Sequence, residues 1–181
     1  MDADAVYGPR EDTALLRTAA LDEVREDDAV LEVGSGSGAV AAAVADEADS
    51  VVATEIGRAA SRATADRGVP VVRTDLAAGV TGPFSLVLCN PPYLPDDDRT
   101  PDDALDVALA GGPSGRELVT RFLGTVGRVL ADGGRILLLV TSATDVDAVR
   151  DVAAEEGYGW RVVAEDRYFF EAFVVARLAR E

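Results

Sequence analysis

Asn90 is the only asparagine in a chain of 181 residues that contains no glutamine, and it opens the tetrapeptide Asn90-Pro91-Pro92-Tyr93. Its side-chain carbonyl and the backbone carbonyl of Pro91 can both accept hydrogen bonds from one planar NH₂ group. The two prolines fix φ at about −65° and remove competing N–H donors. Tyr93 offers a flat ring to cover the target. Such a cradle suits an amide or arylamine nitrogen held for in-line attack on an activated methyl group. Positioning and preorganised polar groups then supply most of the acceleration. Taken alone, the tetrapeptide has a second reading, as a proline-rich strand exit whose asparagine merely caps a turn.

Upstream, Glu32-Val33-Gly34-Ser35-Gly36-Ser37-Gly38 ends an apolar run and opens a helical stretch. Glycines there allow a tight turn and close approach of backbone to ligand, and a helix start offers free N–H donors. Gly34, Gly36 and Ala39 satisfy a loose G-x-G-x-x-A dinucleotide pattern, and Glu55 follows at about the 20-residue spacing of a ribose-binding acid. On the loop alone, NAD stays open. Three features favour S-adenosylmethionine (SAM). An acid, Glu32, precedes the loop; the glycines Gly34, Gly36 and Gly38 alternate; and Glu55 and Asp75 end the next two apolar runs. In an open parallel sheet, ligands bind across the carboxyl ends of the strands. Glu32 would face the cationic methionine end, Glu55 the ribose hydroxyls and Asp75 the adenine amino group. Each acid alone also reads as a solvated strand end; their shared position favours one ligand.

These residues need elements to carry them. Apolar, β-rich runs at 29–33, 51–54, 69–73, 85–89 and 135–141 read as five strands covered on both faces. Residues 39–47, 58–67, 115–130 and 146–156 read as helices. Two further strands, 159–163 and 170–177, have no helix between them and predict an antiparallel C-terminal hairpin. The expectation is one α/β domain over 1–181, with a Rossmann-like, mostly parallel seven-stranded sheet. The irregular stretch 91–113 includes Asp96-Asp97-Asp98, read as a solvated loop that also repels phosphates. Cys89 and Trp160 are expected in the core.

Composition bounds the chemistry. The chain has no histidine, which excludes histidine base catalysis and most zinc or non-haem iron catalysis. One cysteine excludes an internal disulfide and a cysteine-based zinc site, so no metal is expected. No apolar run approaches the roughly 20 residues of a membrane span, and Met1-Asp2-Ala3-Asp4 lacks a signal segment, so a cytoplasmic location is expected. Net charge is −16, and all 17 basic residues are arginine. That balance resembles proteins of salt-loving archaea, in which dense carboxylates hold water when salt screens charge within about 3 Å at 1 M. The acidity argues against a nucleic-acid partner. It argues less strongly if it answers to the solvent.

Together, Glu32 to Gly38, Glu55, Asp75 and Asn90-Pro91-Pro92-Tyr93 resemble a class I SAM-dependent methyltransferase with an amino-methylating N-P-P-Y motif. That motif is shared with adenine-N6 nucleic-acid methyltransferases. Two flanks narrow the resemblance. Tyr7-Gly8-Pro9-Arg10-Glu11-Asp12-Thr13-Ala14-Leu15-Leu16 resembles the opening of the small HemK-like glutamine methyltransferases of eukaryotes and archaea. Ala110-Gly111-Gly112-Pro113-Ser114-Gly115-Arg116-Glu117 resembles their segment after the active-site loop.

The resemblance implies N5-methylation of the glutamine in the Gly-Gly-Gln loop of a translation release factor. It implies SAM contacts from Thr13, Glu32, Gly34, Gly36, Gly38, Glu55, Asp75 and Asn90, with Asn90, Pro91, Pro92 and Tyr93 gripping the substrate amide. Glu55 stands where aspartate is more usual, and Ser85 where aspartate is common. Glu11-Asp12-Thr13 also reads as a helix cap with acids in the first turn. The resemblance further implies a small zinc-binding activator protein as heterodimeric partner. Val69-Pro70-Val71-Val72-Arg73, an edge strand without protecting lysines, is the expected docking site by β-augmentation.

Overall fold

A computed structural model of the chain describes residues 11–93, 114–168 and 171–181. The elements run α1 (Glu11–Glu23), β1 (Ala29–Val33), α2 (Ala39–Val44), β2 (Ser50–Glu55), α3 (Arg58–Asp66), β3 (Val71–Arg73), β4 (Phe84–Cys89), α4 (Glu117–Val126), β5 (Leu130–Thr141), α5 (Val146–Glu155), β6 (Tyr158–Tyr168) and β7 (Glu171–Arg180). The seven strands form one sheet in the order β3-β2-β1-β4-β5-β7-β6. The first five pair in parallel, and β7 pairs antiparallel with both β5 and β6. The α/β sheet and C-terminal hairpin expected from the sequence are both present.

The central strands are mostly apolar because helices cover both faces, with Glu32, Ser85 and Arg135 among the polar exceptions. On one side Leu31, Val87, Ile136 and Leu138 pack with Phe122 of α4 and Val149 of α5. On the other, Val30, Leu86, Leu88 and Leu137 pack with Leu16 of α1 and Val40 of α2. Each such side chain stabilises the fold by about 1.5–3 kcal/mol relative to exposure. Cys89 lies in the first layer, as expected, and Trp160 packs against it part-buried. Among the described residues no helix is long and apolar enough to cross a membrane.

Several boundaries differ from the sequence expectation, each for a local reason. The third strand is only Val71–Arg73, because Pro70 has no N–H to give the ladder, although its carbonyl still accepts from Ala53 at 2.8 Å. The helix expected at 115–130 is Glu117–Val126, since Gly115 takes a φ of 73° and Leu130 already pairs with Phe84 in the sheet. Both hairpin strands are longer than expected, running as a ladder from the Tyr158↔Arg180 pair to the Tyr168↔Glu171 pair. Phe170, the flank Tyr7 to Arg10, Asp96-Asp97-Asp98 and the flank Ala110 to Pro113 lie outside the described residues.

At the amino ends of the strands, Arg135 makes a bidentate contact with Asp28, at 3.0 Å and 2.6 Å. Ser85 donates to the same carboxylate at 2.7 Å and accepts from the Ala29 N–H at 3.0 Å. The serine that replaces a common aspartate therefore has a structural task far from the glycine loop. Burial raises the Asp28 pKa, but hydrogen bonds from Arg135, Ser85 and the Arg25 N–H outweigh it and hold the carboxyl below its ordinary value of 3.8.

The sheet also fixes where a ligand can sit. From β1 the order runs outward through β2 and β3 on one side and through β4 and β5 on the other. Loops leaving β1 and β4 therefore diverge at their carboxyl ends and open a crevice between them. The glycine loop leaves β1, and Asn90 leaves β4.

Candidate active site

All three loop glycines adopt positive φ, 72° at Gly34, 52° at Gly36 and 72° at Gly38, a region costly for other residues. The reasons differ. A methyl group at Gly38 would come within 2.8 Å of the Thr64 backbone, so this glycine lets the loop pack on α3. At Gly34 or Gly36 it would meet nothing within 4 Å. Those two leave backbone open toward the crevice. Thr64 pins the loop, with its hydroxyl 2.9 Å from Ser35 Oγ, and the N–H groups of Gly34 and Ser35 both donate to the Thr54 carbonyl.

Glu32 is 3% exposed, and its Oε2 accepts from the Ala41 N–H at 2.9 Å. Burial, with a smaller push from the charge of Glu55, raises its pKa from 4.5 to about 8 against that single stabilising N–H. A buried acid in this state is suited to meet a cation. Glu55 is buried too, but both its oxygens are engaged: Oε2 accepts from Gly36 N–H at 2.8 Å and Oε1 from Gly57 N–H at 2.8 Å. It braces the glycine loop from the end of β2. Asp75 is half-exposed and ion-paired with Arg121 of α4. Thr13 turns its hydroxyl to Asp12 Oδ1, at 3.4 Å.

Asn90 emerges from β4 with its side chain oriented by Asp12, a residue whose sequence setting allows either a helix cap or a cofactor contact. Asp12 is 8% exposed, and its Oδ2 accepts from Asn90 Nδ2 at 3.1 Å and from the Tyr93 hydroxyl at 3.4 Å. A carboxylate only accepts, so the amide must present its NH₂ to Asp12 and turn its carbonyl away. That carbonyl, Asn90 Oδ1, is buried and has no hydrogen-bond partner among the described residues. An orphaned buried acceptor costs about 1–3 kcal/mol. The cost is recovered when a ligand donates to it. Tyr93 is further held edge-on by Phe173 of β7, with ring centroids 6.0 Å apart. Its carbonyl lies against Gly115, where a methyl group would approach within 2.8 Å. Pro91, Pro92 and Tyr93 line a small apolar cleft with Val119 and Thr144.

The site therefore combines an open glycine backbone, a buried acid on the carboxyl half of β1 and an amide acceptor without a partner among the described residues. The sequence profile of the methyltransferase small domain family matches residues 11–167. The chain belongs to that family. A release factor glutamine methyltransferase of Deinococcus radiodurans is 35% identical over 98% of this chain and 68% of its own length. Human methyltransferase HEMK2 is 30% identical over 84% of this chain and 79% of its own. A chain from the solved E. cuniculi Mtq2–Trm112 complex, responsible for methylation of the eRF1 translation termination factor, superposes with a TM-score of 0.81 at 29% identity, covering 97% of this chain and 98% of that one.

For this methyltransferase, SAM fits the residues present. Gly34 and Gly36 leave space for a ligand against the backbone, and Glu32 offers a buried carboxylate. The fold brings Asn90, Pro91, Pro92 and Tyr93 together with Asp12. It ties Glu55 to the glycine loop, and leaves Asp75 paired with a helix the sequence reading did not connect to it. Asp12, Phe173 and Arg121 were missed. The sequence signal for Asp12 lay in the lone asparagine: an amide whose carbonyl is needed must find an acceptor for its NH₂.

Proposed function

We propose that this methyltransferase transfers a methyl group from SAM to the side-chain amide nitrogen of the glutamine in the Gly-Gly-Gln loop of a translation release factor. The observation that carries the reading is the buried Oδ1 of Asn90, without a partner among the described residues while Asp12 holds the NH₂ of the same amide. A primary amide presents two N–H donors in one plane, matching Asn90 Oδ1 and the Pro91 carbonyl. Accepting both fixes the plane of the amide and raises electron density on its nitrogen. Tyr93, held by Asp12 and Phe173, covers the face of that plane. Bound SAM supplies an electrophilic methyl group on a sulfonium centre. Glu32 would take its ammonium end, Gly34 and Gly36 would admit it to the backbone while Gly38 packs the loop on α3, Glu55 and Thr13 would hold the ribose side, and Asp75 the adenine amino group. The product nitrogen keeps one hydrogen and gains one methyl, with one proton lost to solvent.

The partner belongs to the same reading. β3 is the sheet edge, and Val72 is exposed on it at 37%. Strand addition there by a small zinc-binding protein would cover Val72 and extend the sheet from Val71–Arg73. A nucleobase substrate fits the same cradle, but a net charge of −16 disfavours phosphate backbones.

Transfer from labelled SAM to the cognate release factor, with and without the zinc partner, tests the reading. Asn90→Ala is expected to lower the rate by about 10²–10³-fold, as for other preorganised polar groups. Transfer that persists after glutamine is replaced by asparagine in the factor would sink it.

A further inference from the structure

The carboxylate of Asp75 is not left to itself at the end of β3. Arg121 Nη2, on α4, forms an ion pair with Asp75 Oδ2. Arg128, just beyond the same helix, donates to the carbonyl of Ala77. One arginine on α4 and one just past its end therefore grip one short turn. The turn is tight: the Asp75 carbonyl accepts from the Ala78 N–H at 3.0 Å, and Leu76 takes a φ of 47°. A branched side chain adopts that conformation only where its surroundings hold it there. Leu76 packs against the core. The two arginines bind the turn at Asp75 and Ala77.

Fold stability is a poor account of this ion pair. Its side chains are 56% and 48% exposed, and pairs in that setting stabilise a protein little. Position is a better account. One carboxylate oxygen is engaged by Arg121, which biases the rotor and leaves Oδ1 to accept from a ligand.

We propose that Arg121 is a positioning residue for cofactor recognition: it fixes the Asp75 carboxylate so that Oδ1 accepts the exocyclic amino group of the adenine. The inference rests on the assignment of Asp75 to the adenine made above. Preorganising an acceptor lowers the ordering cost of binding. The benefit should appear only for a purine that carries the amino group.

The test compares two probes by titration calorimetry on the full chain: S-adenosylhomocysteine, and S-inosylhomocysteine, in which a carbonyl replaces the adenine amino group. The unaltered protein should prefer the adenosyl probe by about tenfold, the smaller end of what a hydrogen bond to a charged group contributes. Asp75→Ala should erase that preference. Arg121→Met should weaken the adenosyl probe by about threefold or more, leave the inosyl probe unchanged and leave the melting temperature unchanged; Arg121→Lys should restore part of the loss. Should Arg121→Met not fold, Arg121→Lys carries the same comparison. Preference lost in Asp75→Ala but kept in the Arg121 variant overturns the role of Arg121 and leaves the Asp75 assignment standing. Preference kept in Asp75→Ala overturns the assignment itself. Equal weakening of both probes, or tighter binding on removing Arg121, also overturns the proposal.

Discussion

Asp12 gathers two donors on one carboxylate oxygen, the Asn90 amide and the Tyr93 hydroxyl, across 78 and 81 residues of sequence. Without it, the Asn90 amide is free to turn, and half of its orientations aim NH₂ at the substrate's own NH₂. Asp12→Ala should therefore lower kcat by up to about 10²-fold, the scale of a small misplacement of a reacting group. SAM affinity should fall far less, since Asp12 reaches the cofactor side only through its bonds to Thr13. Radiolabel transfer rates beside calorimetric SAM titrations separate the two effects; equal losses in both would refute this role. Glu32 makes a second prediction. With a pKa raised to about 8, it holds its proton at neutral pH in the free protein. An arriving ammonium favours the charged form and expels that proton. SAM affinity should then fall by up to about tenfold per pH unit as pH drops below 8. Titrations at pH 7 in buffers of different ionisation enthalpy should show proton release; none would remove the argument. Asn90, the glycines and the acids were legible from sequence because their types are rare or their places repeat. Asp12 and the engagement of both Glu55 oxygens were not, because each depends on a partner only the fold supplies.

At the scale of elements, the strands were legible because burial on both faces leaves a run of apolar residues that few alternatives explain. Their ends were not, because single residues set them. Pro70 shortens β3, and Gly115 delays α4 by holding a conformation no helix uses. Gly115 does more than delimit a helix. Its φ of 73° and its contact with the Tyr93 carbonyl set the segment before α4 directly behind the substrate cradle. A side chain there must displace that carbonyl from 2.8 Å and also adopt a left-handed conformation costing about 1 kcal/mol or more. Gly115→Ala should raise KM for the release factor and lower kcat by about tenfold or more. The SAM dissociation constant should not change, because the glycine loop stands on β1 and α3. A pure change in SAM affinity would show instead that α4 acts chiefly through the turn at Asp75.

For the whole molecule, two buried carboxyls on opposite ends of the sheet pull pH stability in opposite directions. Glu32 has a raised pKa, so the folded state keeps a proton that the unfolded chain releases above 4.5. Its contribution is complete below 4.5 and is lost as pH rises from there to about 8. Asp28 has a lowered pKa, so its contribution with Arg135 is complete above the unfolded value of 3.8 and is lost as pH falls below it. Stability of the SAM-free protein should therefore peak between these windows, near pH 4 to 5, with lower melting temperatures on both sides. Repulsion within a chain of net charge −16 also weakens on acidification and would mimic the alkaline side of this profile. Salt separates the causes: at 1 M, charges are screened within about 3 Å, while a buried carboxyl is screened far less. Melting curves in high salt should keep the fall from pH 5 to 8, and Glu32→Gln should flatten it without touching the acid side. A profile that high salt flattens in the unaltered protein would assign the slope to surface charge, and would return Glu32 to an ordinary carboxylate.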